Sequence, residues 1–156
     1  MMRRRIVIAM IFTGLVLISC HKVTEEDRIR NVISTIQKAA EGKEIKTILD
    51  RVSRSYHDPQ GNDYDAIKGI LAYYLFQHQK VSVTIPDLEV SVNGAAAKAV
   101  FSAILTGRAT GASPAAIIPE ALGVYTFDVT LAREKDEWKV VAAVWKQTGT
   151  GVQGGQ

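Results

Sequence analysis

The apolar residues of this 156-residue chain change their spacing once, near residue 80, and that change limits the fold more than any composition figure does. Before it, Ile29, Val32, Ile33 and Ile36 fall at i, i+3, i+4 and i+7, the spacing that lines one face of a helix. Thr24 with Asp27 three residues on is a capping signal for its start, and Gly42 marks its end. Ile45, Ile48, Leu49 and Val52 repeat the spacing in a shorter second helix. A third is predicted after "DPQGND", where Ile67, Ile70, Leu71, Tyr74 and His78 share one face.

From Val81 the period is two. Val81, Val83 and Ile85 alternate with polar residues, and Leu88, Val90 and Val92 then alternate in the opposite phase. The slip falls on Pro86-Asp87, so a bulge or bend is predicted there. Asn93-Gly94 is a hairpin signal, and Ala97, Ala99, Phe101, Ala103 and Leu105 form one face of the returning strand. Residues 107–121, rich in Gly, Ala, Pro and Ser, look like a long connection. Tyr125, Phe127, Val129 and Leu131 line one side of the next strand, "REKDE" turns the chain, and Trp138 to Trp145 forms the last. That strand is apolar on both faces, with Val140, Ala142 and Val144 on one and Val141, Ala143 and Trp145 on the other. Helices followed by antiparallel strands imply an α+β fold.

The first twenty residues stand apart from this pattern. Arg3, Arg4 and Arg5 precede an apolar run from Ile6 to Ile18, too short to span a bilayer comfortably, which takes about 20 residues, but suited to a secretory signal. Leu17-Ile18-Ser19-Cys20 resembles the bacterial lipobox, in which the cysteine is lipidated and the signal is cut before it. The expected organisation is a signal peptide over 1–19, a lipidated tether over 20–23, one domain over 24–147 and a flexible tail over 148–156. Removing 1–19 takes away three of the 19 Lys+Arg and none of the 16 Asp+Glu, so the net charge of +3 belongs to the signal. No basic excess is left to argue for nucleic acid. The resemblance implies that Cys20, the single cysteine, carries the acyl chains that hold the protein on the lipid bilayer, which would leave no thiol for a disulfide or a nucleophile. His21 stands where an aspartate favours inner-membrane retention in the lipoproteins this resembles. The expected address is therefore the bacterial cell envelope, on the outer membrane facing the periplasm if the cell is Gram-negative.

The order helix, helix, "YHDPQG" turn, helix, bent hairpin and long final hairpin resembles the nuclear transport factor 2-like superfamily, which includes SnoaL-like proteins and ketosteroid isomerase. The resemblance covers about residues 24–147. It implies N-terminal helices packed on a strongly curved antiparallel sheet, a cone-like roll around a mostly apolar pocket. In ketosteroid isomerase the aspartate of a similar Asp-Pro-x-Gly turn is the proton-shuttling base, and Asp58 matches it. The family's two oxyanion donors fall near Thr35 and Phe127, where this chain carries neither, which argues against that reaction.

Asp58 thus has two readings. As a turn former it accepts hydrogen bonds from nearby amides ahead of the third helix, and this reading is preferred. Asp58→Asn should then lose little stability and Asp58→Ala about 0.5–2 kcal/mol. As a general base it needs an apolar pocket to raise its pKa. Tyr74, Tyr125 and Phe127 are candidate pocket residues, and Val141, Ala143 and Trp145 are a candidate dimer face. The acids of "DPQGNDYD" lack the spacing of a calcium loop, His57 and His78 lack that of a zinc helix, and no phosphate loop or Gly-x-Ser-x-Gly occurs. No metal and no cofactor is expected. The leading function is a non-catalytic module binding a small apolar ligand, an envelope protein or a second copy of itself. The alternative is an isomerase, dehydratase or hydrolase using Asp58.

Overall fold

The structure, a computed structural model, describes residues 23–109 and 120–149. Cys20 and its lipidation, the signal peptide and the tail from residue 150 lie outside the described residues. Helix α1 (Glu25–Glu41) starts on the expected capping box: the Thr24 hydroxyl accepts from the Asp27 amide at 3.1 Å, and the Asp27 carboxylate accepts from the Thr24 amide at 3.0 Å. Its apolar stripe, Ile29, Val32 and Ile33, is buried against the sheet, each such side chain contributing about 1.5–3 kcal/mol. Helix α2 (Ile45–Leu49) is shorter than its spacing suggests. Val52 leaves the helix and forms a parallel bridge with Val140. Helix α3 (Tyr64–Gln77) is capped by Asp63, whose carboxylate accepts from the Ala66 amide at 2.8 Å. It stops one residue before His78, which opens the first strand instead of sharing the helix face.

The strands are β1 (His78–Thr84), β2 (Leu88–Asn93), β3 (Ala96–Ala109), β4 (Glu120–Glu134) and β5 (Glu137–Gly149). β1 and β2 pair in turn along the single strand β3, which is followed by β4 and β5, all antiparallel. Thr84 stands opposite Ile104 and Leu88 opposite Phe101, so Ile85, Pro86 and Asp87 span a stretch that β3 crosses with Ser102 and Ala103. One extra residue reverses the phase. Val81 and Val83 before it and Leu88, Val90 and Val92 after it therefore face the same side, toward α1, as the slip at Pro86-Asp87 predicts. The predicted connection over 107–121 is shorter, because β3 and β4 continue pairing to Gly107 and Glu120.

The hairpins differ in how they turn. Asn93 remains paired with Ala96, and Gly94 takes the positive φ of 60° in a two-residue turn with Ala95. The last hairpin turns on Lys135 and Asp136, at φ 47° and 68°, with no glycine. Arg133 bonds back to Ala95 at 2.8 Å, and the Trp138 indole donates to Glu25 at 2.7 Å. Both turns and the start of α1 thus share one end of the molecule. At the other end Lys43, just after α1, bonds the His78 carbonyl where α3 passes into β1.

Candidate functional site

Asp58 follows from the segment that runs along the edge of β5. The Ser53 amide donates to the Val140 carbonyl at 2.9 Å and the His57 amide to the Val141 carbonyl at 3.0 Å. This brings Tyr56, 3% exposed, under the strand, where its hydroxyl accepts from the Ala143 amide at 3.2 Å. The same hydroxyl donates to Asp58 Oδ2 at 3.0 Å. Asp58 is 1% exposed, and four donors surround it. Oδ1 accepts from the Gln60 and Asn62 amides, both at 2.9 Å, and Oδ2 accepts from Tyr56 and from Asn62 Nδ2 at 2.9 Å. Burial pushes the Asp58 carboxyl up, but the hydrogen bonds from the Asn62 side chain and amide, Tyr56 and Gln60 outweigh it and hold it below its ordinary range. Burial first, then the bond to Asp58 and its charge, hold the Tyr56 hydroxyl protonated well above its ordinary range.

A carboxylate with two donors on each oxygen has no free lone pair for a substrate proton. In this arrangement Asp58 is an anchor for the turn that leads into α3. His57, beside it in sequence, is exposed and bridges backbone with Asp63. Among the described residues no three His, Cys, Asp or Glu side chains gather to hold a metal ion.

The half-buried aromatic side chains lie elsewhere, on the helix-facing side of the sheet toward its other end. Residues paired directly across antiparallel strands point to the same side. Phe101 is opposite Phe127, and Phe127 is opposite Trp145; Ala103 is opposite Tyr125, and Tyr125 is opposite Gln147. The Phe101 and Phe127 rings stack with centroids 5.2 Å apart, and Tyr125 tilts against Phe127 at 6.4 Å. Phe101 is buried, whereas Tyr125, Phe127 and Trp145 are half-buried and Gln147 is exposed. Helix α3 packs chiefly on α2 and β1, which leaves these aromatic faces less covered than the core around α1.

Tyr125 and Phe127 of the candidate pocket set are therefore together on this strip. Tyr74 and Asp58 are not: Tyr74 is 57% exposed on α3, edge-on to Tyr73 at 5.7 Å, and Asp58 is locked in its turn. The candidate dimer face is split. Leu131 pairs with Val140 and Thr130 with Ala142, so Val141 is an extra residue and the alternation reverses there. Ala143 and Trp145 consequently share the helix-facing side with Val140, and Ala143 packs against the core. Val144, at 41% exposure, turns outward with Ile104.

No family model and no curated protein matches the sequence. Solved structures match its fold. A nuclear transport factor 2-like superfamily protein from Salmonella enterica is 14% identical, with a TM-score of 0.66 over 83% of this chain and 93% of that one. The fold is nuclear transport factor 2-like. A candidate scytalone dehydratase from Novosphingobium aromaticivorans shares this fold at 12% identity and a TM-score of 0.67, covering 83% of this chain and 93% of its own. The Bdellovibrio bacteriovorus protein Bd1075 does so at 8% identity and a TM-score of 0.62, over 76% of this chain, which spans only 40% of its length. At these identities the likeness is one of fold, and the nuclear transport factor 2-like cone carries many chemistries.

Sequence reasoning missed Tyr56, Phe101 and Gln147 as parts of these two clusters. Tyr56 stands two residues before Asp58, a spacing that points the same way only if the segment is extended, and nothing in the sequence says that β5 runs beside it. Gln147 lies beyond the Val141 bulge, where a strict period of two from Trp138 assigns the wrong face.

Proposed function

We propose that this protein is an envelope lipoprotein whose nuclear transport factor 2-like domain binds a small apolar, ring-bearing ligand without catalysing a reaction on it. The observation that carries the reading is the strip of Phe127, Tyr125 and Trp145, half-buried on the helix-facing side of the sheet and backed by the buried Phe101, while the buried Asp58 carboxylate, in its own turn, is already saturated by four donors. Binding sites for small molecules are mostly apolar with a few polar tips, and a base needs a free lone pair. Anchoring is supported by Arg3–Arg5, the apolar run and Leu17-Ile18-Ser19-Cys20. The described chain starts beside the two hairpin turns, and α1, 17 residues and about 25 Å long, leads from there toward the aromatic end. A tether at Cys20 accordingly holds the hairpin end at the bilayer and turns the strip away from it.

The test uses Trp145 as reporter. The chain has two tryptophans, so Trp138→Phe leaves Trp145 alone. Titration of that variant with 1-indanone, a neutral fused-ring ketone, is expected to change Trp145 emission saturably, and Phe127→Ala to weaken binding about tenfold, or 1.4 kcal/mol. Emission that does not saturate with 1-indanone overturns the reading. A second reading, an enzyme with Asp58 as base, is favoured by the fold shared with a candidate dehydratase. It requires Asp58 to shed part of its donor set when substrate enters.

A further inference from the structure

The end of the aromatic strip is built around a glycine. Gly123 takes a φ of +134°, a backbone conformation that side-chain-bearing residues rarely adopt, in a stretch where the β3–β4 register shifts. A Cβ placed on it would lie 2.9 Å from Gln147 Nε2 and 3.0 Å from Tyr125 Cε2. Two separate demands, the backbone angle and the missing side chain, thus converge on one residue. Together they let the Gln147 amide lie across β4 beside the Tyr125 ring, on the same side as Phe127 and Trp145. Gln147 is exposed, and neither its amide nor the Tyr125 hydroxyl has a hydrogen-bond partner among the described residues.

Between residues 123–129 of β4 and 143–149 of β5, the charged side chains lie on the other side of the sheet. Asp128 and Lys98 pair with each other there at 2.8 Å, and Lys146 stands opposite Thr126 on that same side. The described helix-facing side chains of that stretch offer ring faces and two neutral polar groups, an amide and a phenol. A charged ligand would lose its hydration without a counter-ion, whereas a neutral ring loses little and gains stacking.

We propose that Gln147, seated over Gly123 beside Tyr125, reads the polar edge of the ligand: the strip takes a flat, neutral ring system carrying one carbonyl or hydroxyl oxygen, which accepts a hydrogen bond from the Gln147 amide while the rings lie against Phe127 and Trp145. This rests on the ligand-binding reading above and assigns its specificity-determining residue. Gln147→Leu leaves an apolar side chain one bond shorter than glutamine and removes the donor.

The experiment compares 1-indanone with indane, which have the same fused rings with and without the oxygen, binding to the full chain, with affinities from chemical-shift titration that includes the Gln147 side-chain amide. The wild type is expected to bind 1-indanone about tenfold more tightly than indane, the worth of one well-placed hydrogen bond, with the Gln147 amide resonance moving on binding. Gln147→Leu is expected to bring the ratio near one while indane affinity changes less than about threefold. Gly123→Ala, which pushes the amide aside, should lower the same ratio. A wild-type ratio near one, or a ratio that Gln147→Leu leaves intact, overturns the role of Gln147 while ring binding stands. Failure of both compounds to bind the wild type removes the ligand-binding reading and this inference with it.

Discussion

Removing the Asp58 carboxylate is the sharpest perturbation of the turn that leads into α3. Asp58→Ala strands the proton of the buried Tyr56 hydroxyl, 3.0 Å from its acceptor, at about 1–3 kcal/mol. It also removes the acceptor of the Gln60 amide, the Asn62 amide and Asn62 Nδ2. These are partly buried, so water replaces some of what is lost, and each costs about 0.5–1 kcal/mol. The sum is about 2.5–6 kcal/mol, a large share of the roughly 5–15 kcal/mol typical of a domain. It exceeds the 0.5–2 kcal/mol expected for a simple cap.

Asparagine does not rescue the site fully. Its oxygen serves the two amides, but its own NH2 then faces two donors, Tyr56 and Asn62 Nδ2, for a cost of about 1–3 kcal/mol. The sign of the pH effect follows from the lowered carboxyl pKa. A depressed folded-state value contributes stability that is complete above the unfolded value, near 3.8, and is lost as pH falls through the lower folded one. The gap between wild type and Asp58→Asn is therefore full at neutral pH and narrows below about pH 4. Urea unfolding followed by far-ultraviolet circular dichroism, at pH 7 and at steps down to pH 3, measures both quantities. Asp58→Ala within 1 kcal/mol of wild type, together with a carboxyl NMR titration above 3.8, would refute the anchor and restore Asp58 as a candidate base.

Thr24→Ala removes the α1 capping box and should cost about 1 kcal/mol in the same unfolding assay. Trp138→Phe deletes the 2.7 Å bond to Glu25 that ties β5 to the start of α1; with Glu25 partly solvated the loss should be about 1–2 kcal/mol, and a double-mutant cycle with Glu25→Gln should show most of it as coupling. Cys20→Ala should abolish incorporation of labelled palmitate, and continued labelling of that variant removes the lipoprotein reading.

The element order, the cap at Thr24, the bend at Pro86-Asp87 and the final hairpin were all legible in the residues, because each is a local consequence of period, capping or turn chemistry. Even the phase reversal between Val83 and Leu88 could be read, since a proline marked it. The Val141 bulge carries no such mark. It lies where the 53–57 segment docks on the β5 edge through the Val140 and Val141 carbonyls, a contact between residues more than eighty positions apart, and the register shift there turns Trp145 and Gln147 toward the helices. Asp58 shows the same division: its turn was visible in "DPQG", but its four donors depend on where Tyr56 is held under β5. Local chemistry determined which elements form, and tertiary packing decided which faces they share, because a one-residue slip in a strand costs little locally and moves every side chain beyond it to the other side of the sheet.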